Sequence, residues 1–544
     1  MIYKPDGNAA EIYEALKPIR DNFLKRAERS SALTIPMLIP RDSERRTGSI
    51  AEFDTPRQGI GARGVNHLSS RLLLTLLPSG APFFKYSIDA FALDQLSQLD
   101  PNVQSQVKAT LAQIEDSVHH YVETEALRVP SAEICKHLIV AGNACQAFPK
   151  RGGMTFYPLS QYVCVRDPDG DEVMDFVLRE CIDKAALDPK LLKLYEASLK
   201  QLQYEGTKAP KAPKNSSESS EEYVEIYTRQ YLEDKKYYVR QEFSNGLVIP
   251  GSEGSYKVDA VPYNPLRWTK VPGEAYGRGL IEEYIGDLIF LEALSQALIE
   301  GALASARVVG LVRPNSSTHP SDINNAKNGE FITGVEDDVK FLQVEKYADL
   351  RTASETGARI EKRLESAFLL NSSVTRNAER VTAEEIRYVA QELETALGGV
   401  YSILAHEFQL PLVKMILARL EKKGVIPRFP PSLKEKVKPV IITGVDALGR
   451  NAELERLRAA FTIFASIVGP EMAASVMKPG NVGTFVFSQA GVTTKGLIMT
   501  PQEIATQNAE KQRMAALQET ISKGVGPAVN AVSKATSEQQ GVQK

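Results

Sequence analysis

Residues 59–64 read GIGARG, and residues 65–78 continue as VNHLSSRLLLTLLP. The hexapeptide is a G-x-G-x-x-G pattern, and its reading decides the fold. A dinucleotide-binding turn needs a buried strand running in and a helix running out, so that a pyrophosphate meets free N–H groups at the helix start. The lead-in, EFDTPRQ at 52–58, carries Glu52, Asp54, Pro56 and Arg57. Pro56 cannot donate to a sheet ladder, and no apolar strand precedes the turn. The residues that follow place Leu68, Leu72, Leu73 and Leu76 at helical spacing. Asp89 stands at the distance of a ribose-binding acid, but it is one of 68 acidic residues. The hexapeptide therefore opens a helix, and Gly59, Gly61 and Gly64 allow close packing. No cofactor is expected.

The chain has 544 residues, too many for a single core, so several lobes are expected. A net charge of −3 gives no support for a general nucleic-acid binder. Cys135, Cys145, Cys164 and Cys181 contain no C-x-x-C pair. Scattered thiols suit a reducing compartment. The opening MIYKPDGNAA lacks the basic and apolar regions of a signal peptide, and no apolar run reaches 18 residues. His119 and His120 are adjacent and so do not share a helix face, which argues against a metal site. Phosphate-loop, H-E-x-x-H and G-x-S-x-G patterns are all absent. Six histidines leave few acid–base candidates, and the balance moves toward a structural or binding role.

Periodicity predicts helices over 10–30, 60–77, 102–127 and 131–147. From about residue 154 the period changes to two. QYVCVR, the turn DPDGD and EVMDFVLREC predict a hairpin, and EYVEIYTRQYL and KKYYVRQEF continue a β-rich lobe. GTKAPKAPKNSSESSEE at 206–222 reads as a flexible surface insertion. A helix is predicted from Arg278 to Arg307, roughly 43 Å long at 1.5 Å per residue. VVGLV, EFITG and KFLQV read as short strands after it, and a second helix follows over 346–370. NSSVTRNAER at 371–380 is polar and faces solvent or a lumen. Thr382 to Glu385 form a capping box that opens a helix to about 423, bent at Gly398-Gly399 and Pro411. A last helix is predicted over 452–468.

Three stretches carry a resemblance: FDTPRQGIGARGVNHLSSRLL at 53–73, GEAYGRGLIEEYIGDL at 273–288, and ERVTAEEIRYVAQELETALGGVYSILAHEFQLPLV at 379–413. In order and spacing they resemble the portal, or head-to-tail connector, proteins of T7-like short-tailed bacteriophages. The likeness runs over roughly 10–470, and the insertion and the C-terminal tail depart from it. The resemblance implies a mainly α fold with a β-rich lobe (α+β), assembled as a ring of twelve at one capsid vertex of the virion. DNA would enter through its channel, driven by a terminase, and later leave. It implies a wing over 1–277, a stem helix over 278–306, a clip over 307–345 and a second stem helix over 346–370. A tunnel loop would span 371–381, a kinked wing helix and connection 382–449, and a crown and tail 450–544.

The implied DNA-facing residues are Arg376, Asn377 and Arg380; Arg380 faces the lumen or pairs with Glu384 or Glu385. Arg313, Asn315, Lys327 and Glu330 would dock the terminase and a tail adaptor at the clip. Leu288, Leu294 and Leu364 would pack the stem. Further implied partners are capsid, scaffolding and internal core proteins and double-stranded DNA, with assembly in the host cytoplasm, no membrane, no catalysis and no metal. The span 278–306 carries a net charge of −4, from Arg278 against Glu282, Glu283, Asp287, Glu292 and Glu300. Such a surface either lets DNA slide or is a solvated outer face. Another ring-forming tail or internal-head protein is one alternative; a nucleotide-binding enzyme using GIGARG is the other.

Overall fold

A computed structural model describes residues 6–40, 55–78, 83–88, 101–170, 172–204, 223–306, 309–342, 347–370, most of 392–427, 437–441 and a few positions between 460 and 514. The chain divides into two compact units. One comprises 1–104 with 113–447, and the other 105–112 with 448–544. Few residues of the second are described, among them a helical stretch at 460–464.

Helix α1 (Ala9–Ala32) starts at Asn8, whose side chain accepts a hydrogen bond from the Glu11 N–H. Helix α2 (Ile60–Leu76) is the one that GIGARG opens. Residues 55–59 ahead of it form no strand, and the Gln58 side chain accepts the Gly61 N–H at 3.0 Å. Strand β1 (Phe84–Ile88) pairs far along the chain, as described below. Helices α3 (Pro101–Thr124) and α4 (Arg128–Ala141) follow.

The helix predicted over 131–147 stops at residue 141. Gly142 takes a left-handed φ of +70° and caps α4, and 143–147 forms strand β2 (Asn143–Ala147) instead. The physical reason lies outside the local sequence. Asn143 exchanges hydrogen bonds with Gly277, donating to its carbonyl at 2.7 Å and accepting its N–H at 2.8 Å. The β2 backbone then pairs on both sides.

Strand β3 (Thr155–Pro158) lies beside β2. Strands β4 (Tyr162–Arg166) and β5 (Val173–Asp183) form the predicted hairpin. Helix α5 (Pro189–Tyr204) was not anticipated, although its Leu191, Leu192, Leu194 and Tyr195 have an amphipathic pattern. They pack on Leu187, Val224, Ile226, Phe243 and Ile249. Strands β6 (Tyr223–Glu233), β7 (Lys236–Phe243) and β8 (Gly254–Lys257) complete a five-stranded antiparallel sheet in order β4-β5-β6-β7-β8. Helix α1 lies on this sheet through Ile12, Tyr13 and Leu16 against Val163, Val177 and Tyr227. Strand β9 (Tyr263–Arg267) closes the smaller sheet, ordered β3-β2-β9. The 206–222 insertion lies outside the described residues.

Helix α6 (Leu280–Ala306) is the long helix, and α8, its partner, runs over Tyr347–Ala367. Between them lie strand β10 (Val309–Val312), the short helix α7 (Pro320–Asn325) and strand β11 (Val339–Leu342). Strands β10 and β11 pair antiparallel, from Val309↔Leu342 to Val312↔Val339. EFITG at 330–334, expected as a strand, has no strand partner among the described residues.

The helix after the polar loop is interrupted at Gly398, where φ is +45° and ψ −114°. It resumes as α9 (Gly399–Leu404), widens into a π-helical turn (Ala405–Gln409), and continues as α10 (Leu410–Lys423). The wide turn precedes Pro411, which has no N–H for the carbonyl four residues back. That carbonyl belongs to Glu407 and accepts from Asn264 Nδ2 at 2.7 Å instead. Strand β12 (Val437–Ile441) pairs with β1, Phe84 opposite Ile441, a contact that sequence reading missed.

Candidate functional site

The long helices α6 and α8 are held together by a narrow apolar seam. Leu288 and Leu364 are fully buried, as is Phe368 just beyond the end of α8; Leu291 is nearly so. Leu294, expected in the same seam, is only half-buried. Two glycines set the helix separation. A Cβ at Gly301 would lie 2.8 Å from Leu350 Cδ2, and one at Gly357 would lie 3.2 Å from Leu294 Cδ2. Arg363 pairs with Asp287 across the exposed side. The opposite flank of α6 is apolar yet open to water. Ile289 is 36% exposed, Ile299 46% and Leu303 62%, while Phe290, 50% exposed, follows Ile289 and lies on a different face. Exposed apolar side chains of this size on one helix face call for cover by another surface.

Helix α2 is the seat of this unit. Gly64 faces the Phe368 ring, and a Cβ there would lie 2.4 Å from Phe368 Cγ. Arg63 reaches Glu365 at 2.9 Å, and His67 Nε2 lies 3.2 Å from the Leu369 carbonyl. One turn further on, Arg71 pairs with Glu392 at 2.8 Å. At the other end the Glu292 carboxylate accepts the backbone N–H groups of Arg57 at 3.0 Å and Gln58 at 3.1 Å. Positions 63, 67 and 71 recur every four residues, so one face of α2 grips both Leu369 and Glu392. Leu369 lies just before the polar loop, and Glu392 lies in the helical stretch that comes after it. Sequence reading missed this face; the spacing of its polar and cationic side chains was the signal. Burial, with Arg71 nearby, lowers the His67 pKa below its ordinary value.

Arg376, Asn377 and Arg380, with the capping box at 382–385, lie outside the described residues. The four expected docking residues are all exposed, in two groups. Arg313 approaches Asp338 at 4.0 Å, and its N–H donates to the Asp338 carbonyl at 2.9 Å. Lys327 and Glu330 close one turn: the Lys327 N–H donates to the Glu330 carboxylate at 2.8 Å, and the Glu330 N–H to the Lys327 carbonyl at 2.9 Å. Asn315 takes a left-handed φ of +64° in the turn after β10. Buried Thr318 ties the ends of this knob. Its hydroxyl donates to Asp338 at 3.3 Å and accepts the Val335 N–H at 3.1 Å.

Among the described residues no His, Cys, Asp or Glu cluster could hold a metal. Burial pushes the Cys135 thiol up to about 12 and raises those of Cys145 and Cys164, which makes them poor nucleophiles. No described helix is long and apolar enough to cross a membrane. Two of the three glycines of GIGARG meet protein; Gly59, expected to allow close packing as well, has nothing within 4 Å of its Cβ position. A Cβ at Gly61 would lie 2.6 Å from the Leu33 carbonyl oxygen, and Gly64 meets Phe368.

Residues 6–498 match a protein family described as bacteriophage head to tail connecting protein. The portal protein of Escherichia phage T7 is 37% identical over 516 residues, covering 93% of this chain and 91% of its own. The portal protein of Enterobacteria phage SP6 is 31% identical over 520 residues, covering 95% of each. A solved neck structure of an empty GTA particle aligns over 84% of this chain and 94% of its own, at 12% identity and a TM-score of 0.34.

Proposed function

The chain belongs to the bacteriophage head-to-tail connecting protein family, and from that premise we propose how its parts work. It is a portal component of the virion, a structural protein at the capsid. In our reading twelve copies form a ring at one vertex. A terminase drives double-stranded DNA inward through the central channel, and the same channel later releases it. Capsid, scaffolding and internal core proteins hold the ring inside, and a tail adaptor joins it outside. The chain itself carries no catalytic step.

Residues 1–277 form the wing, α6 and α8 the stem, and 307–345 the clip. The stretch 371–381 is the tunnel loop, 382–449 crosses the wing again, and 450–544 is the crown and tail. Arg376, Asn377 and Arg380 face DNA. Arg313, Asn315, Lys327 and Glu330 dock the terminase and then the adaptor. Leu288, Leu294 and Leu364 hold the stem.

The observation that carries this reading is the unbroken match to the connector family over 6–498. The open apolar flank of α6 supports a neighbouring subunit there, since one copy leaves Ile289, Ile299 and Leu303 in water. Deletion of 313–330 tests the clip assignment. Rings should still form and DNA packaging should stop. Normal packaging by the deleted form would remove the clip from terminase docking.

A further inference from the structure

EFITG has the composition of a strand and none of the partners of one. Phe331 is 101% exposed, Ile332 43% and Val335 55%. Among the described residues, the backbone N–H and C=O groups of Phe331, Ile332, Thr333 and Gly334 make no hydrogen bond. Phe, Ile and Thr favour strands. Backbone polar groups left open in such a segment are a template for pairing with another chain. Strand β11 begins four residues after Val335; β10 and β11 form a sheet of only two strands, with no third strand among the described residues. A two-stranded sheet is marginal in water. Leu311 on β10 is 51% exposed.

We propose that residues 330–335 of one copy add as a third strand to the β10–β11 sheet of the adjacent copy. The inference rests on the ring reading above, which supplies the adjacent copy. A head-to-tail contact between unlike surfaces is the kind that closes into a ring. One surface here is the open segment and the other is the sheet edge. The charges are complementary. Glu330 opens the segment and Lys340 marks the sheet, both exposed, while Arg313 faces Asp338 of its own chain at 4.0 Å. Pairing satisfies the backbone groups, and pockets for alternate side chains take up Phe331 and Leu311. A strand exchanged around the whole ring would tie the clip together before any tail or packaging protein arrives.

Hydrogen exchange on purified rings, without other phage proteins, reads the pairing directly. Light scattering first establishes that rings are present. The amides of 331–334 should then exchange at least about tenfold more slowly than in an unpaired peptide. Thr333→Pro, which removes an N–H that the single chain does not use, should restore fast exchange there and at β10 or β11. It should also lower the temperature at which rings dissociate, while Thr333→Ala should not. Intact rings in which 331–334 exchange as free chain would overturn the pairing and leave the ring standing. Slowing seen only after a terminase or adaptor is added would overturn it too, in favour of that partner. A monomer would overturn both.

Discussion

Gly64 and Phe368 meet across 304 residues of sequence, and a single methyl group at Gly64 would lie 2.4 Å from the Phe368 ring. The contact joins the helix opened by GIGARG to the end of α8. Gly64→Ala must therefore push the two apart or twist the ring, at a cost of roughly 1–3 kcal/mol. Gly59→Ala has nothing within 4 Å of its new methyl and should be silent. Thermal unfolding of the two variants checks the pair. Equal melting temperatures would contradict the packing role.

Leu288→Asp would bury an unpaired carboxylate in the α6–α8 seam, where Leu288 is fully enclosed. The cost is several kcal/mol or a protonated acid. The expected product is a monomer or an aggregate, read by size-exclusion chromatography. Leu303→Asp, at a 62% exposed position, should leave the single chain folded and weaken only its association.

His67 gives the seat a pH dependence of known sign. Its folded-state pKa is lowered from the ordinary 6.5 by burial first, then by Arg71, while the Leu369 carbonyl and Glu392 act the other way. A depressed value means that the unfolded chain takes up the proton more readily. The stability from neutral His67 is present above about pH 6.5 and is lost as pH falls through the lower folded value. His67→Gln should flatten the fall in melting temperature over that window. An unchanged pH profile would show that another group dominates.

Arg376→Ala should leave rings and proheads intact, because NSSVTRNAER has almost nothing apolar to bury. A ring of guanidinium groups would hold phosphates weakly one by one and appreciably together. Packaged genomes should leak, or packaging should stall, in a salt-dependent way. Full-length DNA at wild-type yield across salt concentrations would reduce the loop to a lining.

The sequence made the long elements legible and left their joints obscure. Helices over 9–32, 60–76, 280–306 and 347–367 follow from apolar spacing alone. The β4–β5 hairpin follows from period two and the turn at Asp167 to Gly170. Asn143 could not be read as a strand start, because its partners sit at Gly277, on a distant stretch. Pairing of β1 with β12, from Phe84↔Ile441 to Ile88↔Val437, joins distant parts of the chain and leaves no local trace. EFITG failed in the opposite way: its local preference is for a strand, but the single chain offers no edge to satisfy it. The grip of α2 on Glu365, Leu369 and Glu392 was also hidden, since a charged helix face reads as solvated until its partners are known.

In the ring reading, this chain assembles around a passage for DNA. Electron microscopy of the purified protein, with no other component present, tests it most directly. Closed rings of about twelve copies are expected, with a central opening and projecting stems seated on a broader wing. A population of globular monomers, or compact assemblies without a hole, would contradict it.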